Sequence, residues 1–168
     1  YGLATVFGLI SGCILHTTFL AFGFSTIIKE SDNLFLAIKI FGASYLMYLA
    51  YKVFKSDATI TFSDTQLQKK TTLQLFRQGF VMNILNPKVS MFFLAFFPGF
   101  LFSKTLSTGI QIYILGGVFM LVSLLIFSLI ALLSGTISEK IKQHHKIGLY
   151  LKWMQIVVFI FIAGFILM

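Results

Sequence analysis

The chain has 168 residues, 58% of them hydrophobic and 11% charged, with a mean hydropathy of +0.94. Water-soluble domains carry about a quarter charged residues, so a soluble enzyme or binding module is excluded and a bilayer is needed to cover the apolar surface. The formal net charge of +8 comes from residues that flank apolar runs, which excludes nucleic acid as a partner and fits membrane orientation instead.

A helix needs about 20 apolar residues to cross the hydrocarbon core. Five stretches qualify, at about 2–28, 34–54, 80–102, 109–133 and 150–168. The expected fold is therefore an all-α membrane protein, a polytopic helical bundle forming one transmembrane transporter domain over 1–168. No basic region precedes the first run, so it does not read as a signal peptide. Tyr1 is not an initiating methionine, which adds the expectation of an N-terminal truncation.

The first span holds no formal charge and carries His16 near its middle. An imidazole titrates near physiological pH, so His16 can relay a proton; it can equally be a neutral histidine bonded between helices. Ser11, Thr17 and Thr18 read as packing residues, and Gly8 and Gly12 form a small-xxx-small pair that lets helices approach. Cys13 is the single cysteine, which leaves thiol redox chemistry, a disulfide framework and a cysteine zinc site without a second ligand. The second span has Lys39 near one end and Lys52 near the other. Its Gly42-Ala43-Ser44 suggests a tight contact, and Tyr45, Tyr48 and Tyr51 form a stripe suited to packing or interface anchoring.

The stretch 55–78 reads as a loop with a short amphipathic approach to the third span. That span is interrupted at Asn86-Pro87-Lys88. Pro87 removes a backbone N–H and disfavours helix at Asn86. In lipid the freed backbone groups need a cavity or other helices. Asn83 and Asn86 are three apart, which places them on one helical face. Lys88 would stand about 12 Å along a span starting at Phe80. Two readings of it stand: a cation lining a polar chamber that receives a carboxylate, or a lysine snorkelling to the headgroups beside a structural kink. Pro98-Gly99 bends or ends the span.

The fourth span carries Gly116-Gly117. The connection after it, about 134–149, contains His144 and His145, adjacent histidines without a cysteine or acidic partner and so a solvated loop rather than a metal site. Lys52, Lys55, Lys69, Lys70 and Arg77 flank the second connection; Lys140, Lys142, Lys146 and Lys152 flank the fourth. Two crossings separate these connections, so they share a side, and the positive-inside rule makes loops 55–78 and 134–149 cytoplasmic. All five acidic residues fall in expected loops. No phosphate loop, hydrolase elbow or paired catalytic carboxylate occurs, so neither an enzyme nor an ATP-driven pump is encoded, and no cofactor is expected.

The run Phe76-Arg77-Gln78-Gly79-Phe80, through Asn83 and Asn86-Pro87-Lys88 to Phe92-Phe93-Leu94-Ala95-Phe96-Phe97-Pro98, resembles the fourth-helix signature of the LysE-type (RhtB) amino-acid exporters. The first span, with Gly8, Gly12, Cys13 and His16, resembles that family's second helix. Leu36 to Val53, with Gly42, Ala43, Tyr45 and Leu46, resembles its third. The resemblance covers essentially the whole chain. It implies six helices in two inverted three-helix repeats, so the family's first helix, bearing a Thr-Pro-Gly-Pro motif, is missing here. It implies proton-driven export of amino acids or similar metabolites across the bacterial inner membrane, with Asn83, Asn86, Pro87 and Lys88 at the translocation site and His16 as a proton relay. The implied partners are the lipid bilayer, a small amino-acid-like solute and, as an option, further copies of the chain. The alternatives are a cation or metal permease of the same superfamily, for which membrane acids are wanting, a thiol oxidoreductase, and a non-transporting membrane scaffold.

Overall fold

The computed structural model describes residues 1–30, 32–58, 70–143 and 146–168, with side chains described outside 24–32 and 139–143. His144 and His145 lie outside the described residues. The described chain is helical, with no strand. In order it forms α1 (Gly2–Glu30), α2 (Asp32–Lys55), α3 (Thr72–Ile84), α4 (Pro87–Met91), a π turn (Phe92–Phe96), a 3-10 turn (Phe97–Phe100), α5 (Thr108–Gln143) and α6 (Ile147–Leu167). The helices α1, α2, α5 and α6 are each long and apolar enough to cross a membrane; α3 with α4 and its extension makes a fifth span bent by 50°. The chain is thus an all-α, multi-pass membrane protein.

The helix leading into the third span begins at Thr72, within the expected amphipathic approach and eight residues before the apolar run from Phe80. Its start is fixed by a capping box: Thr71 Oγ1 accepts from Gln74 N at 3.3 Å, and Gln74 Oε1 accepts from Thr71 N at 2.8 Å. The apolar run alone did not reveal this, because α3 begins with a polar turn. Helix α1 runs to Glu30 and α5 to Gln143, so both continue beyond the apolar cores of their spans.

Helix α1 packs between α3 and α5, while α2 packs on α6. The broken helix lies between these two groups and belongs to both. Phe93 and Phe97 enter one core with Cys13, Leu20, Ala21 and Ile112; Ala95 enters the other with Ala43, Leu46, Leu49 and Ala163. Phe93 and Phe97 are four residues apart and share a face, while Ala95 between them is turned about 200° away, so one short helical segment serves both cores. Helices α1 and α3 touch backbone to backbone: a Cβ at Gly8 would strike the Phe76 carbonyl, and one at Gly79 would strike the Thr5 carbonyl. Such contact through glycine is how apolar helices gain packing energy in lipid, where the hydrophobic effect does not draw them together. Most of the remaining α5 and α6 surface is exposed Leu, Ile, Val and Phe, suited to lipid. Tyr48 and Tyr51 are also exposed, on the outward side of α2, whereas Tyr45 is half-buried.

Candidate functional site: a break in the third span

The break spans Leu85 and Asn86. Asn86 has an extended backbone, φ −83° and ψ 107°, and its side-chain Oδ1 accepts from Lys88 N at 3.0 Å, so it caps α4 with Pro87 in the first turn. This is the arrangement in which proline costs least, since its missing N–H is one that a helix start leaves unpaired. In an uninterrupted helix the residue at Pro87 would donate to the Asn83 carbonyl. That carbonyl instead accepts from Asn86 N at 3.1 Å and lies 3.3 Å from His16 Nε2. To serve it, His16 must carry its proton on Nε2. The imidazole also stacks on Phe93, with centroids 5.5 Å apart. His16 therefore has a defined structural duty: it pairs a carbonyl exposed by the proline.

The five residues do not converge on one chamber. The break ends the helical register, so Asn83 and Asn86 do not share a face as their spacing suggested. Asn83 is buried and points at α1, where Nδ2 meets Cys13 Sγ at 3.6 Å. Gly12 makes room for it: a Cβ there would come within 2.6 Å of Asn83 Oδ1. Asn83 Oδ1 and Thr17 Oγ1 are both buried without a hydrogen-bond partner among the described residues. His16 faces a cavity of about 360 Å³ on the α1 side, walled by Phe19, Leu20, Phe93 and Leu94, with Ser90 on its rim. Asn86 and Lys88 face another cavity, of about 280 Å³, on the α2–α6 side. The broken helix is the wall between them, and Pro87 itself is exposed.

Lys88 stands well inside the broken span. Sixteen residues separate it from Thr72 and twelve from Phe100, roughly 24 Å and 18 Å of helix. Two of its neighbours agree: Leu46 and Phe159 come from near the middle of α2 and α6. Its Nζ sits over the Phe159 ring, 5.1 Å from the centroid, and the residue is half-buried. A cation at such depth is costly and demands compensation. The ring supplies part of it. No carboxylate lines the cavity. The walls are mainly apolar, with Asn86 and Lys88 as the polar groups, so the chamber is less polar than the sequence suggested. Apolar walls around a few placed polar groups are the usual make-up of a site for a small organic solute, and the volume is at the bottom of the ~300–1,000 Å³ range of such sites.

Sequence reasoning missed Gln111. It is buried, and its Oε1 accepts from Phe102 N at 2.8 Å and Ser103 N at 2.9 Å, while Nε2 donates to the Ser103 and Leu106 carbonyls. It holds the turn that joins the broken span to α5. A glutamine at the start of an apolar helix was the available signal. Among the described residues no group of three or more His, Cys, Asp or Glu is placed to hold a metal ion.

Comparison with known proteins places this geometry in context. The family model described as LysE type translocator matches residues 1–168. An uncharacterized membrane protein of Bacillus subtilis, YrhP, is 33% identical over 108 residues, covering 60% of this chain and 51% of that protein. An uncharacterized membrane protein of Vibrio cholerae is 29% identical over 101 residues, covering 60% and 49%. A leucine efflux protein of Salmonella choleraesuis is 29% identical over 134 residues, covering 77% and 62%. The chain thus spans about half the length of the first two relatives and under two thirds of the third. No solved structure matches it significantly.

Proposed function

This chain belongs to the LysE type translocator family, and from that premise we propose that it exports amino acids or similar small metabolites, binding the solute carboxylate at Lys88. One observation carries the reading: a half-buried ammonium at mid-depth, beside a helix break, in a cavity that holds no carboxylate of its own. A solute carboxylate there would form a charge-assisted hydrogen bond in a low-dielectric setting. Asn86 would stay engaged in its cap, holding the backbone that presents Lys88. The similarity to a leucine efflux protein supports an aliphatic amino acid as the first solute to try.

We further propose that the membrane is a bacterial inner membrane, with loops 55–78 and 134–149 cytoplasmic, because the basic residues cluster in and beside those connections. Proton coupling is assigned to His16, on the other side of the broken helix. Protonation at Nδ1 would leave the Nε2 bond to Asn83 intact while adding a charge beside the α1-side cavity. Counterflow of radiolabelled leucine into vesicles containing the full-length protein tests the solute site. Lys88→Gln is expected to cut exchange at least tenfold with insertion unchanged. Wild-type exchange by Lys88→Gln would refute the role.

A further inference from the structure

We propose that the cavity around Lys39 is a second carboxylate-binding subsite, stacked one step beyond the Lys88 cavity along the seam between α2, α6 and the broken helix. The inference rests on the export reading above and extends it from one solute position to two.

The seam provides the geometry. Lys39 and Leu46 are seven residues apart on α2, so they share a face and stand roughly 10 Å apart along it. Leu46 walls the Lys88 cavity and Lys39 lines the next one. On α6, Ile162 borders the first cavity and Ile166, one turn on, borders the second. On the broken helix the same step leads from Phe92 to Phe96. The two spaces are nearly equal, about 280 Å³ and 310 Å³.

The chemistry repeats as well. Among the described residues each cavity is lined by a single charged side chain, a lysine, and by no acidic side chain, with Met168 also bordering the second. Each lysine is half-buried with its ammonium over a phenylalanine: Lys88 over Phe159 at 5.1 Å, Lys39 over Phe35 at 5.9 Å. A ring face offsets part of the cost of withdrawing an ammonium from water, and an anionic ligand would offset the remainder. Between the cavities the seam is closed by Ala43, Ala95 and Ala163, all buried, and Gly42 lies so close to Ala95 that a Cβ would not fit. Small side chains thus stand at the middle of the partition, with Leu46, Ile162 and Phe96 packed around them. Two matched cations on either side of a thin partition give a carboxylate a place to leave and a place to arrive.

Equilibrium binding of radiolabelled leucine to the purified full-length protein in detergent micelles tests this. The wild type should bind two leucines per chain. Lys39→Gln and Lys88→Gln should each bind one, and Lys39→Arg, which keeps the charge, should restore two. Loss of one site in Lys39→Gln with no loss in Lys88→Gln would uphold this subsite while overturning the role of Lys88. A wild type that binds one leucine, lost in Lys88→Gln and kept in Lys39→Gln, would overturn this subsite while leaving the export reading in place. No leucine bound by the wild type would overturn both.

Discussion

Replacing Pro87 with alanine sets two forms of the third span against each other. Proline costs about 3 kcal/mol relative to alanine in a helix interior. Alanine would also restore the N–H that can reach the Asn83 carbonyl and straighten the 50° bend. Three interactions favour the broken form: the Asn86 cap on Lys88 N, about 1 kcal/mol; the His16 bond to Asn83, about 1 kcal/mol; and the seating of Lys88 over Phe159, about 1 kcal/mol. Once the proline penalty on the straight form is gone, these interactions, about 3 kcal/mol in all, are opposed by the two or three backbone bonds across the break that a continuous helix regains, about 1 kcal/mol each, so the two forms come close to balance. Pro87→Ala should therefore leave both forms populated, within about 1 kcal/mol of one another, a ratio of about five. Removing the cap as well, in the double variant Asn86→Ala with Pro87→Ala, should make the straight form dominant. Spin labels at the exposed positions Arg77 and Lys104 flank the bend. Electron-electron distance measurements should give one distance in the wild type, two in Pro87→Ala and mainly the longer one in the double variant. Leucine exchange should fall in the same order. A single wild-type distance with full exchange in both variants would refute the view that proline and cap together set the break.

Other outcomes follow from the same contacts. Gln111→Leu should destabilise the protein by about 1–2 kcal/mol, because it removes the side-chain partner of the part-buried backbone groups of Phe102, Ser103 and Leu106. Faster hydrogen exchange confined to 101–107 is the check. His16→Gln keeps a donor for the Asn83 carbonyl and removes the imidazole proposed to carry the proton. It should retain leucine counterflow and lose accumulation driven by a proton gradient, whereas His16→Ala should also lose about 1 kcal/mol of stability. Full gradient-driven transport by His16→Gln would remove the proton role.

The fold was legible wherever apolar length decides it. The runs at 2–28, 34–54, 109–133 and 150–168 are long enough that only helices satisfy their backbone in lipid. The third span was harder, because α3 opens with Thr72, Gln74, Arg77 and Gln78, and its start depends on a local side-chain cap rather than on hydropathy. Lys88, about 12 Å into the apolar run from Phe80, falls level with Leu46 and Phe159 near the middle of α2 and α6. The break itself was visible in Asn86-Pro87. Its consequences were not, since spacing rules assume the unbroken helix that Pro87 removes. Asn83 and Asn86 consequently part company, one toward Cys13 and one into a cap. The link from His16 to Asn83 crosses 67 positions and has no sequence signal. The π turn at Phe92–Phe96 likewise has no local sequence pattern that announces it.

The account stands on the claim that Lys88 reads a carboxylate. Competition against labelled-leucine counterflow addresses it directly, using 4-methylpentanoate, which keeps the acid and lacks the amine, and 3-methylbutylamine, which keeps the amine and lacks the acid. The expected result is that the acid competes at least tenfold better than the amine in the wild type and that Lys88→Gln abolishes the difference. Equal competition by acid and amine in the wild type, or a preference for the acid that survives Lys88→Gln, would contradict it.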